Sequence, residues 1–380
     1  MSLRELTPEQ REIRDLAARF AAERIAPNAA AWDREHTFPR ALFDDLGKLG
    51  LMGVCVPEEQ GGAGADFLSY ALVLEELARA DAGVGVTVAV HTSACTLPLL
   101  DHGSEYVPAL AAGEEIGAFA LTEAGSGSDA AAMRTRYADG RISGSKQWCT
   151  NGSHASTFLV FARDERSGDE REARGSKRVS AFVVRAGAEG FEVTREEEKM
   201  GLNSSSTADL AFDGTPAERL GEPGEGMRIA LRTLDGGRIG IAAQAVGIAQ
   251  AALDLASGYA KERHAFGGPI ARLGAIQQKL ADMQTEIEAA RALVWRAARL
   301  KAAGHPHTVE GAQAKLFASA VARHQTGEAI QVLGGYGYTK EFPAERYYRD
   351  AKVTEIYEGT SEIQRLVIAR ALLGEAMRGS

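Results

Sequence analysis

Cysteine is scarce in this chain. Only Cys55, Cys95 and Cys149 occur among 380 residues, and no two of them have metal-site or redox-motif spacing. A disulfide framework is excluded, and a reducing, cytosolic compartment is the expectation. Basic charge is also short: 43 Lys and Arg stand against 52 Asp and Glu, a net charge of −9. Nucleic-acid binding is disfavoured, because phosphate contacts need clustered cations. The eight histidines show no HExxH pairing, and His305 and His307, flanking Pro306, read as a polar loop, so no metal is expected. No stretch looks long and apolar enough to cross a bilayer, which predicts no membrane span. Residues Met1 to Gln10 lack the order of a secretory signal and the Arg-rich, acid-poor character of a transit peptide, so the expected location is cytoplasmic. Neither GxGxxG opening a βαβ unit nor GxxxxGK[ST] occurs, which excludes the commonest nicotinamide and P-loop architectures.

What is present suits a globular chain of two or three domains, 45% hydrophobic and 25% charged. Thr7-Pro-Glu-Gln10 predicts a capped helix start, with Ile13, Leu16, Ala17, Phe20 and Ala21 at helical spacing. Helical patterns follow Pro39 and run from Phe67 to Ala80, with further apolar segments from Val84 to Leu100. The pattern then shifts to short β-rich runs at Ile116–Leu121, Gln147–Thr150, Thr157–Ala162 and Val179–Val184, with Asp209–Phe212 as the last. The charged segment from Asp164 to Arg178 predicts an exposed hairpin loop. Long helices return from about Met227 to Lys261, with a possible interruption at Gly236-Gly237, then along a seam from Leu273 to Ala297, and from Val309 to Leu333. A last helix starts at Ser361, where Ser361 and Gln364 form a capping-box pattern. The fold class expected is α+β, mainly α: a helical N-terminal domain (1–114), a small barrel-like β-sheet domain (115–222) and a C-terminal four-helix bundle (223–380).

Four segments carry possible chemistry. Leu121-Thr-Glu-Ala-Gly-Ser-Gly-Ser-Asp129 follows a predicted strand, and its backbone N–H groups with the Thr122 and Ser128 hydroxyls suit a heterocycle or phosphate; taken alone, a bland strand-end turn is the commoner explanation. Trp148-Cys-Thr-Asn-Gly152 sets Trp148 and Thr150 on one face of a strand, for an aromatic ligand or simply for the core. In Arg263-His-Ala-Phe-Gly267, Arg263 suits a phosphate or only the dipole of a helix C-terminus. In Ile356-Tyr-Glu-Gly-Thr-Ser-Glu362, Glu358 sits between two elements, as a general base or as an exposed loop acid, while Thr360 and Ser361 stand where helix N–H groups are free to bind an anion.

Together, and in this order, these segments resemble the acyl-CoA dehydrogenase family over essentially the whole chain, closest to its short-chain, butyryl-CoA-type bacterial members. Val56-Pro-Glu-Glu-Gln-Gly-Gly62, Lys199-Met-Gly201, Gln331-Val-Leu-Gly-Gly335 and Glu345-Arg-Tyr-Tyr-Arg-Asp350 add to the match. The resemblance implies FAD as cofactor, with Phe119, Leu121, Thr122, Trp148 and Thr150 around the flavin. Arg263, Phe266, Gln331 and Gly335 would reach FAD from a neighbouring subunit of a homotetramer, and Thr360 would contact the FAD phosphates. Ser128, Asp235, Arg238, Tyr357 and Gly359 would serve the acyl-CoA substrate, and Glu358 would be the catalytic base. The implied reaction is α,β-dehydrogenation of a short-chain acyl-CoA, with an electron-transferring flavoprotein as acceptor. A branched- or medium-chain substrate, or a non-enzymatic assembly factor on the same fold, are the alternatives. Ala124, Asn203, Ala265 and Gly274 depart from family patterns, and position 237 itself, from which a base on the first bundle helix would act, holds a glycine and not an acid.

Overall fold

The computed structural model describes residues 5–164 and 178–377; most of the charged segment expected to be a hairpin loop lies outside the described residues. The chain opens with helices α1 (Pro8–Phe20), α2 (Ala29–Glu35), α3 (Arg40–Lys48), α4 (Phe67–Ala80), α5 (Ala82–Ala89), α6 (Leu97–Asp101) and α7 (Val107–Ala111). The capping box forms as expected: Thr7 Oγ1 accepts from the Gln10 N–H, and Gln10 Oε1 accepts from the Thr7 N–H. Gln10 also donates to Asp66, the N-cap of α4, and so ties the two helix starts together.

Eight strands follow among the described residues: β1 (Gly117–Ala120), β2 (Arg136–Ala138), β3 (Arg141–Thr150), β4 (Thr157–Asp164), β5 (Val179–Arg185), β6 (Phe191–Glu196), β7 (Thr207–Pro216) and β8 (Glu218–Leu220). They form one sheet ordered β6-β7-β3-β2-β4-β5-β8, with β1 added parallel to β4. Asp209–Phe212 lies within β7, and the last strand of this sheet is Glu218–Leu220. β4 and β5 are apolar on both faces because both are covered. Leu159, Phe161, Val179, Ala181 and Val183 pack toward the helices, with Leu99, Leu110 and Ile229. Phe158, Val160, Phe182 and Val184 pack into the sheet's own curl, with Tyr137 and Phe212.

The C-terminal part is helical: α8 (Gly226–Glu262), α9 (Gly274–Ala302), α10 (Thr308–Leu333), α11 (Ala344–Val353) and α12 (Ser361–Leu373). α8 runs through Gly236-Gly237 without a break. Burial on several sides holds it, and its glycines admit neighbours: a Cβ on Gly247 would lie 2.3 Å from the Glu75 carbonyl oxygen. The expectation about membrane spans needs correction. Ala82–Asp101 and Gly226–Glu262 both reach the length and hydropathy of a span, but 89% and 83% of those windows lie inside the protein. A central helix covered by other helices has no polar face to interrupt its apolar run.

Candidate active site

Glu358 sits in the connection between α11 and α12, in the left-handed region at φ 50°, and Gly359 follows at φ 94°. For a residue with a Cβ this conformation costs roughly 1–2 kcal/mol, so the surroundings must hold it. Both carboxylate oxygens are buried and lack any hydrogen-bond partner. Burial pushes the Glu358 carboxyl up to about 7, while Lys315 and Arg238 pull the other way. Gly237 on α8 makes the space: a Cβ there would lie 1.8 Å from Glu358 Oε2. Arg238, one residue on, is buried; its Nη1 donates to Asp235 (2.6 Å), which accepts from the Thr308 hydroxyl (2.7 Å). The Tyr357 hydroxyl bonds Gln244, anchoring the other side of the turn. Thr360, not Ser361, is the N-cap of α12. The Gln364 side chain therefore bonds the Gly359 carbonyl (2.8 Å) instead of closing a capping box.

A second group lies along the end of β1 and β3. Lys146, buried in β3, donates to the Leu121 carbonyl and to Glu123 Oε1, both at 2.9 Å. Glu123 also accepts from the N–H groups of Arg134 and Thr135. Burial opposes its charge, but Lys146 and these donors hold it below its ordinary range. The loop carrying Leu121 and Thr122 is thus pinned from beneath, and the Gln147 N–H reaches the Thr122 carbonyl at 2.8 Å. The β3–β7 register slips between Lys146 and Cys149, and Trp148 takes φ 60° in the bulge. Simple alternation therefore does not place Trp148 and Thr150. The bulge re-aims the indole, which is 56% exposed, beside a half-buried Thr150 and with Phe119 and Thr122 on the neighbouring strand end. Ser128 is exposed on the adjoining loop.

A third group lies at the far end of α8 and α10. Arg263 caps α8 and lies over the Tyr336 ring. Arg263, Gly334, Gly335, Tyr336 and Tyr259 line a cavity of about 490 Å³, with Gln331 exposed in the last turn of α10. Phe266, in the turn of the hairpin His264–Ala265/Gly268–Pro269, is 93% exposed at φ 54°.

The chain matches the acyl-CoA dehydrogenase N-terminal domain over residues 7–114, the middle domain over 118–215 and the C-terminal domain over 224–373. The chain belongs to the acyl-CoA dehydrogenase family. It is 49% identical to the mitochondrial short-chain specific acyl-CoA dehydrogenase of Bos taurus, over 97% of this chain and 91% of that one. Butyryl-CoA dehydrogenase from Megasphaera elsdenii superposes with a TM-score of 0.93 at 42% identity, covering 97% of this chain and 99% of that one. A chain of the structure described as the electron transferring flavoprotein of Acidaminococcus fermentans superposes at 0.94 with 45% identity, covering 98% and 99%.

The protein is accordingly an FAD-dependent oxidoreductase. Its residues fit that cofactor: an exposed indole in a strained bulge, hydroxyls beside it on a pinned loop, and a buried carboxylate without a partner. The departures from acyl-CoA dehydrogenase patterns are mild in the fold. Asn203 donates to Asp33 (2.9 Å), which Arg349 also grips, so a contact between parts of the chain persists there. Gly274 opens α9 with open space around it, and Ala124 is exposed. Sequence reasoning missed Lys146 and Lys315. Each is a lysine on an otherwise inward position, Lys146 in phase with Ile142 on β3 and Lys315 in the stripe Gly311, Ala312, Ala318, Ser319 and Ala322 of α10. A cation on an apolar stripe was the available signal.

Proposed function

We infer that this acyl-CoA dehydrogenase oxidises short-chain acyl-CoA thioesters to trans-2-enoyl-CoA, with Glu358 as the base. The observation that carries the reading is the Glu358 carboxylate, buried without a partner and pushed up to about 7. Such a group takes an α-proton at neutral pH far better than a solvated carboxylate. The bound flavin supplies the acceptor for the hydride that leaves the β-carbon. Phe119, Leu121, Thr122, Trp148 and Thr150 would hold the ring, with the pinned 121–123 loop keeping the hydroxyls in place. Thr360, at the start of α12, would offer its helix N–H groups to the cofactor phosphates. Arg263, Phe266, Gln331 and Gly335 would hold the FAD of a neighbouring subunit, which is the reading that supports a homotetramer.

Asp235, Arg238, Ser128, Tyr357 and Gly359 would bind and orient the CoA thioester. The backbone N–H of Glu358 would donate to the thioester carbonyl and stabilise the developing enolate. Electrons would pass to an electron-transferring flavoprotein, and we take the enzyme to be cytoplasmic. The short-chain preference rests on the similarity to short-chain and butyryl-CoA enzymes. The purified protein should be yellow and should bleach anaerobically with butyryl-CoA. Glu358→Gln should stay yellow yet bleach at least ~10²–10⁴-fold more slowly; turnover retained by that variant would remove Glu358 from the role.

A further inference from the structure

The left-handed pair Glu358–Gly359 is a conformation that the loop cannot maintain alone, and two buried side chains converge on one of its carbonyls, that of Gly359. Lys315, wholly buried in α10, donates from Nζ to the Gly359 carbonyl oxygen at 2.6 Å. Gln364, wholly buried in the first turn of α12, donates to the same oxygen at 2.8 Å. A Cβ on Gly359 would meet Gln364 Nε2 at 2.7 Å, so the clamp also requires glycine there. A lysine on the buried stripe of a helix loses its hydration, and among the described residues no carboxylate accepts a hydrogen bond from it; its hydrogen bond goes to the backbone beside the proposed base.

We propose that Lys315 is a positioning residue for proton abstraction: its ammonium group fastens the Gly359 carbonyl, fixes the Glu358–Gly359 turn, and thereby aims the Glu358 carboxylate. The proposal rests on the reading of Glu358 as the base. Lys315 has a second, electrostatic effect on the same group. Burial pushes Lys315 down to about 8, while Glu358, Glu355 and Glu362 favour its charge and Arg238 opposes it. Glu358 is faced by Lys315 from α10 and Arg238 from α8, and it in turn disfavours ionisation of Tyr70 on α4 and of the adjoining Tyr357. Lys315 and Arg238 are thus the cations that keep Glu358 from rising further.

The test compares Lys315→Met, Gln364→Ala and Glu358→Gln holoenzymes by two measurements. The first is the pH dependence of anaerobic bleaching by butyryl-CoA. The second is backbone amide hydrogen exchange of the peptide spanning 353–366. Lys315→Met should bleach ~10–100-fold more slowly at pH 7 and move the acid limb up by roughly one pH unit, with KM within about threefold of wild type. Gln364→Ala should slow bleaching about 3–10-fold without moving the limb, since it removes a hydrogen bond but no charge. Both should speed amide exchange at 358–361. Wild-type exchange together with an unmoved limb in Lys315→Met would overturn the clamp. If that variant loses its FAD on purification, Gln364→Ala decides, and wild-type bleaching and exchange in it overturn the proposal. Bleaching retained by Glu358→Gln would instead overturn the base assignment, a separate and separately visible failure.

Discussion

A carboxylate in water ionises near pH 4.3 and is a weak base toward a C–H bond. Glu358 escapes that limit by being buried, and the sequence could not show it: between two helices a glutamate is most often solvated. Its burial depends on Gly237 far away in the chain, which leaves room for the carboxylate, and on a turn clamped from α10 and α12. The pH dependence follows directly. With the carboxyl pushed up to about 7, the fraction of free enzyme holding Glu358 ionised falls about tenfold for each pH unit below that value. With Glu358 as the proposed base, profiles of kcat/KM for butyryl-CoA between pH 5 and 8, at saturating electron acceptor, should show an acid limb near 7. A limb near 4.5 would mean that the carboxylate is solvated in the working enzyme.

Elements with strong punctuation were legible. Thr7, Pro8 and Gln10 marked α1 correctly because the cap is a local interaction. α2, β2, β6 and α11 were not read, since each is short or polar and is held by partners distant in sequence. α11 illustrates this: Asp350, near its end, accepts the Leu202 N–H at 2.7 Å, and Gly201 packs so close that a Cβ would lie 2.6 Å from the same carboxylate oxygen. Burial, then the nearby Asp81, push Asp350 up to about 7, against the pull of the Leu202 N–H and Arg346. Its folded-state value thus exceeds its unfolded value near 3.8. Between those two values the folded protein binds more protons than the unfolded chain, so stability falls as pH rises through that window. Asp350→Asn removes that slope. Chemical denaturation at pH 4.5 and pH 7 should show a smaller loss between the two for the variant than for the wild type; an equal loss would show that Asp350 is ionised throughout.

At the scale of the whole molecule, the described surface carries apolar groups that a lone chain leaves in water: Phe266 (93% exposed), Tyr338 (85%) and Leu372 (79%). Phe266 is held there in a strained turn at φ 54°, close in sequence to Arg263, whose guanidinium borders the open cavity at the end of α8 and α10. A strained, exposed aromatic beside an arginine at a concave surface is what a neighbouring subunit's cofactor would need. One subunit would then supply Glu358 and the β-domain cradle, while another closes the FAD site. Cofactor retention and assembly should therefore fail together. Light scattering should give roughly 160 kDa, four copies of a 40.4 kDa chain. Arg263→Ala combined with Phe266→Ala should weaken FAD binding by at least ~10-fold, read as colour lost on gel filtration, without altering the fold of the single chain by circular dichroism. Full FAD retention by that double variant would place the whole cofactor site within one subunit and leave the exposed aromatics to some other use.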